Sequence, residues 1–213
     1  MRILLTLGFG VILTVPSQGG TIISTLGTGT GEIGADDGFE VGAGFTMPAG
    51  ASYDLTSARV GLGTIGNRSI SGNNINIQLF GSDGAGNPVG PALVTFTHPA
   101  DFSGSNIVEM DLTVTPLASF VLQPSTTYWL VLGDSVDNGA LGWAFSAAIP
   151  TGIATSAGIR QQQNVDPPQI GVGGTAIYQI DATQVTSAVP EPSTVALSAL
   201  GLFALLYLKR RFA

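Results

Sequence analysis

Asn74-Ile75-Asn76-Ile77-Gln78-Leu79-Phe80 alternates apolar and polar residues with a period of two. That is the period at which successive side chains point to opposite faces of a sheet. Ile75, Ile77 and Leu79 are expected to face inward, and Asn76 and Gln78 outward. Thr127-Tyr128-Trp129-Leu130-Val131-Leu132 does not alternate. Its continuous apolar run is that of a central strand covered on both faces.

Further short segments recur between turn signals. Gly44-Phe45-Thr46-Met47 runs into Pro48-Ala49-Gly50. Tyr53 to Leu62 alternates and then shifts phase near Ala58, as a bulge or a change of register produces. Ser82-Asp83-Gly84-Ala85-Gly86-Asn87-Pro88 carries Asp-Gly and Asn-Pro loop signals. Leu93 to Thr97 follows. In Ile107 to Val114, Val108, Met110, Leu112 and Val114 share one face, and Glu109, Asp111 and Thr113 the other. Phe120-Val121-Leu122 precedes the turn Gln123-Pro124-Ser125, and Gly142 to Phe145 and Ala176 to Ile180 supply two more strands. Gln161-Gln162-Gln163-Asn164 and Asp166-Pro167-Pro168 read as a polar surface loop after Arg160. The prediction is an all-β domain, an antiparallel β-sandwich of jelly-roll type, with an immunoglobulin-like sandwich second. The strand order stays open.

Both ends of the chain differ from this middle. At the N-terminus, Met1-Arg2 precedes the apolar run Ile3 to Val15 and then Pro16-Ser17-Gln18-Gly19-Gly20, the pattern of a secretory signal peptide. Candidate cleavage points follow Ser17, Gly19 or Gly20. No Cys follows the run, which excludes a lipoprotein anchor. At the other end, Pro190-Glu191-Pro192-Ser193 precedes 15 uncharged residues, Thr194 to Leu208, and the basic cluster Lys209-Arg210-Arg211. The prolines fix φ and remove two backbone donors, and Ser193 can cap a following helix. At 1.5 Å per residue a helix over Thr194–Leu208 spans about 22 Å, short of a ~30 Å hydrocarbon core. The basic cluster would stay cytoplasmic. A span this short suits a transient anchor.

These C-terminal parts, in this order, resemble the PEP-CTERM sorting signal of Gram-negative bacteria. The resemblance implies export by the Sec machinery, recognition by an exosortase at the inner membrane, cleavage near Pro190, Glu191 and Pro192, and a final place at the cell surface or outside the cell. It also implies an association with exopolysaccharide and biofilm matrix. The order of segments from Phe45 through Tyr53-Asp54-Leu55-Thr56, Ile77-Gln78-Leu79-Phe80, Gly86-Asn87-Pro88 and Leu122 to Leu132, with Trp143 after it, is similar to choice-of-anchor domains, which are surface β domains. The expected layout is therefore a signal peptide over 1–20 with its signal helix, a β-sandwich over 21–184, a linker over 185–193 and a single transmembrane helix with a basic tail over 194–213.

Without its ends the chain is strongly acidic. Between Gln18 and Pro190 three arginines (Arg59, Arg68, Arg160) face 13 acidic residues, a net charge of −10. That argues against nucleic acid, whose phosphates need basic neutralisation, and against anionic lipid headgroups as the domain's own ligand. The absence of cysteine excludes disulfides and thiol chemistry, so the exported domain must rest on its core.

No catalytic constellation stands out, and no cofactor is expected. His98, the single histidine, lies at a strand end in Thr97-His98-Pro99 and reads as a turn residue rather than a triad base. Glu32, Glu40 and Glu109 show no spacing that marks a glycosidase pair. Asp36 and Asp37, and Asp134 with Asp137, are weak calcium candidates, since Asp also favours turns for local reasons. Trp129, Trp143, Tyr53 and Tyr128 sit among apolar neighbours and are expected in the core rather than on a sugar-stacking platform. The expectation is a non-catalytic surface or matrix protein, the alternative a carbohydrate-binding module for exopolysaccharide.

Overall fold

The computed structural model describes residues 19–34, 39–64, 69–70, 75–97, 102–103, 110–134, 141–163, 169–170, 175–186, 198, 201–202 and 207–211. Its strands, in chain order, are β1 (Gly19–Ser24), β2 (Gly29–Gly34), β3 (Phe39–Thr46), β4 (Tyr53–Thr64), β5 (Ser69–Ile70) and β6 (Ile75–Ser82). Then come β7 (Pro88–Thr95), β8 (Phe102–Ser103), β9 (Met110–Val114), β10 (Val121–Leu122), β11 (Thr127–Asp134) and β12 (Leu141–Ser146). The last are β13 (Thr151–Gly152), β14 (Thr155–Gln163), β15 (Gln169–Ile170), β16 (Thr175–Ala176) and β17 (Tyr178–Gln184).

Two antiparallel sheets account for nearly all of them. A nine-stranded sheet runs β13-β1-β17-β4-β12-β16, with β9 and β10 also on β4 and β2 on β12. A six-stranded sheet runs β15-β14-β3-β11-β6-β7, and β5 pairs with β8 alone. The continuous apolar run is the centre of the six-stranded sheet: Leu130 pairs with Ala43 of β3 on one side and Leu79 of β6 on the other. The clean alternation of β6 is observed, with Ile75, Ile77 and Leu79 buried and the residues between them half-exposed.

Inward residues of both sheets form one hydrophobic cluster. Leu55, Ala58, Val60 and Leu62 of β4 and Tyr178, Ile180 and Ala182 of β17 meet Val41, Ala43 and Phe45 of β3, Ile75, Ile77 and Leu79 of β6, and Leu130 and Leu132 of β11. Each large aliphatic or aromatic side chain buried in this way contributes about 1.5–3 kcal/mol, which is how the domain stands without disulfides. Two sheets facing one core across antiparallel pairs are what a β-sandwich requires.

The phase shift foreseen in β4 is a bulge. Asp181 pairs with Ser57 but Ala182 with Leu55, leaving Thr56 unpaired in the ladder. Leu55 and Ala58, three apart, therefore both face inward. One edge of the six-stranded sheet is blunted: β7 holds Pro88 and Pro91, Gly90 has φ +81°, and residues 115–117 bond to Thr95 and Thr97 at its end. Such an edge offers a poor template for a further strand.

One expectation changes. Gln161, Gln162 and Gln163 are not loop residues but close β14, pairing with Val41, Glu40 and Phe39. Their polarity hid the strand because β14 lies near a sheet margin. The signal helix expected within 1–20 lies outside the described residues apart from Gly19 and Gly20, which are strand. Among the described residues no helix is long and apolar enough to cross a membrane.

Candidate functional site

The sorting segment begins where β17 ends. β17 is held between β1 and β4, and its last residue, Gln184, pairs with Tyr53. One further bond extends the ladder: the Val185 N–H donates to the Ser52 carbonyl at 2.9 Å. The chain thus leaves the sandwich at Val185, five residues ahead of Pro190. Pro190, Glu191 and Pro192 lie outside the described residues. Beyond them Ser198, Gly201, Leu202 and residues 207–211 are helical and exposed, with Leu202 65% and Tyr207 67% accessible. Lys209, Arg210 and Arg211 fall on consecutive helical positions, so their charges fan around the axis at the end of the apolar segment.

The surroundings of the exit are polar and tightly bonded. Asp181 of β17 accepts from the Thr21 hydroxyl of β1 at 2.9 Å, from the Ser57 hydroxyl of β4 at 3.4 Å and from Gln179 Nε2 at 2.9 Å. The Thr56 hydroxyl, displaced by the bulge, donates to the Asp181 carbonyl at 2.9 Å. One carboxylate therefore ties three strands together just above the exit. Sequence reading passed over Asp181, because nothing local distinguishes it from any outward residue of an alternating strand.

The aromatic residues take structural places. Trp143 is fully buried and donates its Nε1–H to the Ile177 carbonyl at 2.8 Å. Tyr128 is buried against Phe45 and Phe120, and its hydroxyl accepts from the Gln123 N–H at 2.8 Å. Trp129, 1% exposed, lies over Gly42 and Gly44 on the face of β3 away from the shared core, with the Arg160 guanidinium 5.9 Å from its ring centre. Tyr53 packs half-buried against the core. None of the three buried rings is free to stack on a sugar.

The candidates for chemistry stay apart. Asp36, Asp37 and Asp137 lie outside the described residues, and Asp134 ends β11 opposite Ile75. Among the described residues no group of three His, Asp or Glu side chains is placed to hold a metal ion. His98 and Glu109 also lie outside the described residues, while Glu32 and Glu40 belong to different sheets. Asp83 acts in the β6–β7 turn. Its carboxylate accepts from the N–H groups of Asn87 at 2.7 Å and Ala85 at 2.9 Å, and from Asn87 Nδ2 at 3.2 Å. Those bonds, Asn87 foremost, hold its pKa below the ordinary 3.8.

The family model of the PEP-CTERM protein-sorting motif matches residues 188–211. The tail is a PEP-CTERM protein-sorting motif. No curated protein matches the chain. The PEP-CTERM match opens three residues after Val185 and closes on Arg211, so it takes in Pro190, Glu191, Pro192, the apolar segment and the whole basic cluster. A PEP-CTERM motif marks an exported protein that exosortase processes at the membrane on its way to the cell surface. Its position just past the last strand leaves the folded sandwich as cargo and the motif as handle.

Proposed function

We propose that the chain is a non-catalytic surface or extracellular-matrix protein of a Gram-negative bacterium, displayed or released after exosortase cuts near Pro190-Glu191-Pro192. In this reading the N-terminal segment directs export by the Sec machinery and is removed. Thr194 to Leu208, with Lys209-Arg210-Arg211 on the cytoplasmic side, holds the inner-membrane intermediate. The observation that carries it is the PEP-CTERM match over residues 188–211 beginning immediately after an all-β domain. The likeness of Phe45 to Phe145 to choice-of-anchor surface domains and the charge of −10 fit a soluble, displayed cargo in the exopolysaccharide matrix. Recognition of exopolysaccharide itself is the weaker reading, since Trp129, Trp143 and Tyr128 are spent on packing. A glycan array probed with the secreted domain separates the two, and a saturable signal for one glycan class would favour recognition.

The direct test fuses residues 187–213 to an exported reporter in hosts with and without exosortase. A shortened reporter lacking Lys209-Arg210-Arg211 is expected outside the inner membrane only where the enzyme is present. An intact tail outside that membrane in both hosts sinks the reading.

A further inference from the structure

The two sides of the sandwich are finished differently. At the β7 side, residues 115–117 return against Thr95 and Thr97 and close the gap between the sheets. At the other side both sheets end in free margins. The six-stranded sheet ends at β14, which β15 covers only at Arg160 and Gln161. The nine-stranded sheet ends at β1, whose outer side carries only the two residues of β13, against Ile23 and Ser24. On its inner side β1 lies against β17 with Gly19 paired to Thr183, so the chain enters and leaves the sandwich side by side. Residues 153 and 154 carry the chain from β13 to β14, and both their N–H groups donate to the Ile22 carbonyl at 2.9 Å. The two margins therefore lie on one open side.

That side displays apolar side chains on a fixed backbone. Ile149 is 85% exposed and Ile153 47%. The Ala148 N–H donates to Ser146 Oγ at 2.9 Å and the Thr151 hydroxyl to the Ser24 carbonyl at 3.4 Å. Gly152, at φ +120°, packs so close to the Ile22 carbonyl that a Cβ has no room. Groups held in this way lose little freedom when a partner covers them.

Charge narrows the choice of partner. Residues 19–31 and 141–163 hold one charged side chain, Arg160, in a domain of net −10. Its guanidinium lies over Trp129, and its Nη1 is buried without a hydrogen-bond partner. A buried donor left in this state lacks an acceptor. The acids on nearby strands are Asp181 of β17, bonded to Thr21, Ser57 and Gln179, and Glu40 of β3, opposite Gln162. Neither pairs with Arg160. The β7 side also exposes apolar groups, Val89 at 50% and Leu117 at 65%, but residues 84–97 and 112–133 offer no cation. A partner for the open side must be apolar opposite the isoleucines and acidic opposite Arg160. A second copy of this acidic chain is both.

We propose that the open side, from Ile149 and Ile153 to Arg160, docks a second copy of this chain. The contact is isologous, the isoleucines of one copy meeting those of the other, and Arg160 takes a carboxylate of the partner copy. Such a contact closes on itself as a dimer.

Because the chain has no cysteine, single-cysteine variants of the full-length protein report cleanly. Ile149→Cys and Ile153→Cys probe the open side, and Val89→Cys and Leu117→Cys the β7 side. Each purified chain, in detergent, is treated with a short bismaleimide and resolved on a denaturing gel. Covalent dimers at 149 and 153 without dimers at 89 and 117 are the expected result. Adding Ile149→Asp to the Ile153→Cys chain is expected to cut the dimer about tenfold or more, with an unchanged urea midpoint because the side chain is exposed. Added salt is expected to weaken the dimer, and to do so less in an Arg160→Gln background. Equal cross-linking at all four positions, as chains sharing a micelle would give, overturns the proposal. So do cross-links confined to 89 and 117, or a dimer that Ile149→Asp leaves intact.

Discussion

The Tyr178 hydroxyl of the nine-stranded sheet donates across the core to the Gly44 carbonyl of the six-stranded sheet at 3.3 Å. The ring also meets Trp143 edge-on, with centroids 6.3 Å apart. A buried phenol thus links the two layers by one polar contact among many apolar ones. Tyr178→Phe keeps the ring and removes the bond, and should lower unfolding free energy by about 0.5–1.5 kcal/mol, read from urea melts. Burial pushes the Tyr178 pKa far above its ordinary 10. Its contribution is therefore complete below pH 10 and falls as pH rises above it. The Phe variant should show a smaller loss of stability between pH 9 and pH 11 than the parent.

Gly44 has no room for a methyl group. A Cβ there would lie 2.8 Å from Trp129 Cη2 and 2.9 Å from Ala157 Cβ. Gly44→Ala should cost about 1–3 kcal/mol through overpacking. Adding Trp129→Leu should make the Ala substitution cheaper than it is beside Trp129. Strict additivity in a double-mutant cycle would refute the contact as the cause.

Thr25 is a buried hydroxyl with a defined task. It donates to the Ala176 carbonyl and accepts from the Tyr178 N–H at 2.9 Å, where the chain passes from β16 to β17. Thr25→Val keeps the shape and strands those groups, for an expected loss of about 1–3 kcal/mol. Hydrogen exchange should quicken first at the Tyr178 amide.

The Asp83 turn should respond to acid. Because its folded pKa is depressed, the carboxylate's contribution is complete above 3.8 and drains away as pH falls through the lower folded value. The difference in urea midpoint between parent and Asp83→Asn should be constant from pH 7 to pH 5 and shrink below pH 4. A constant difference down to pH 2.5 would falsify the turn assignment.

Signal cleavage should fall after Ser17. Gly19 and Gly20 are already in β1, paired with Thr183 and Ala182. A cut after Gly20 would discard both pairs. Intact mass of the secreted domain is expected to begin at Gln18. A start at Gly20 or Thr21 refutes the assignment.

The sequence was most readable where side-chain period and burial coincide. The alternation of Ile75, Ile77 and Leu79, the run from Tyr128 to Leu132 and the slip near Ala58 all became strands or a bulge. The strands that escaped notice are those whose faces do not differ enough. β2 is built on Gly29, Gly31 and Gly34, and β14 on small and polar residues, so neither prints a period. Strand order escaped because it is fixed by pairings between residues far apart in the chain, such as Thr21 with Asp181. At the functional end the reverse holds. The sorting signal is legible because it is contiguous and chemically extreme, and the match over 188–211 rests on that order alone. What the sequence withheld was its setting: Asp181, Thr56 and Ser52 converge on the exit only after folding.

The side-by-side exit has a mechanical consequence. A load applied between Gly19 and Val185 does not shear β1 along β17. It opens the pair like a zipper, one rung at a time, starting at Gly19 and Thr183. Such geometry yields at low force while both ends are held. Once the N-terminal segment is gone, no load can be applied across that pair, and tension along the remaining tail must first break the bond between Val185 and Ser52. Cutting one end therefore changes which bond is stressed first without moving a single strand.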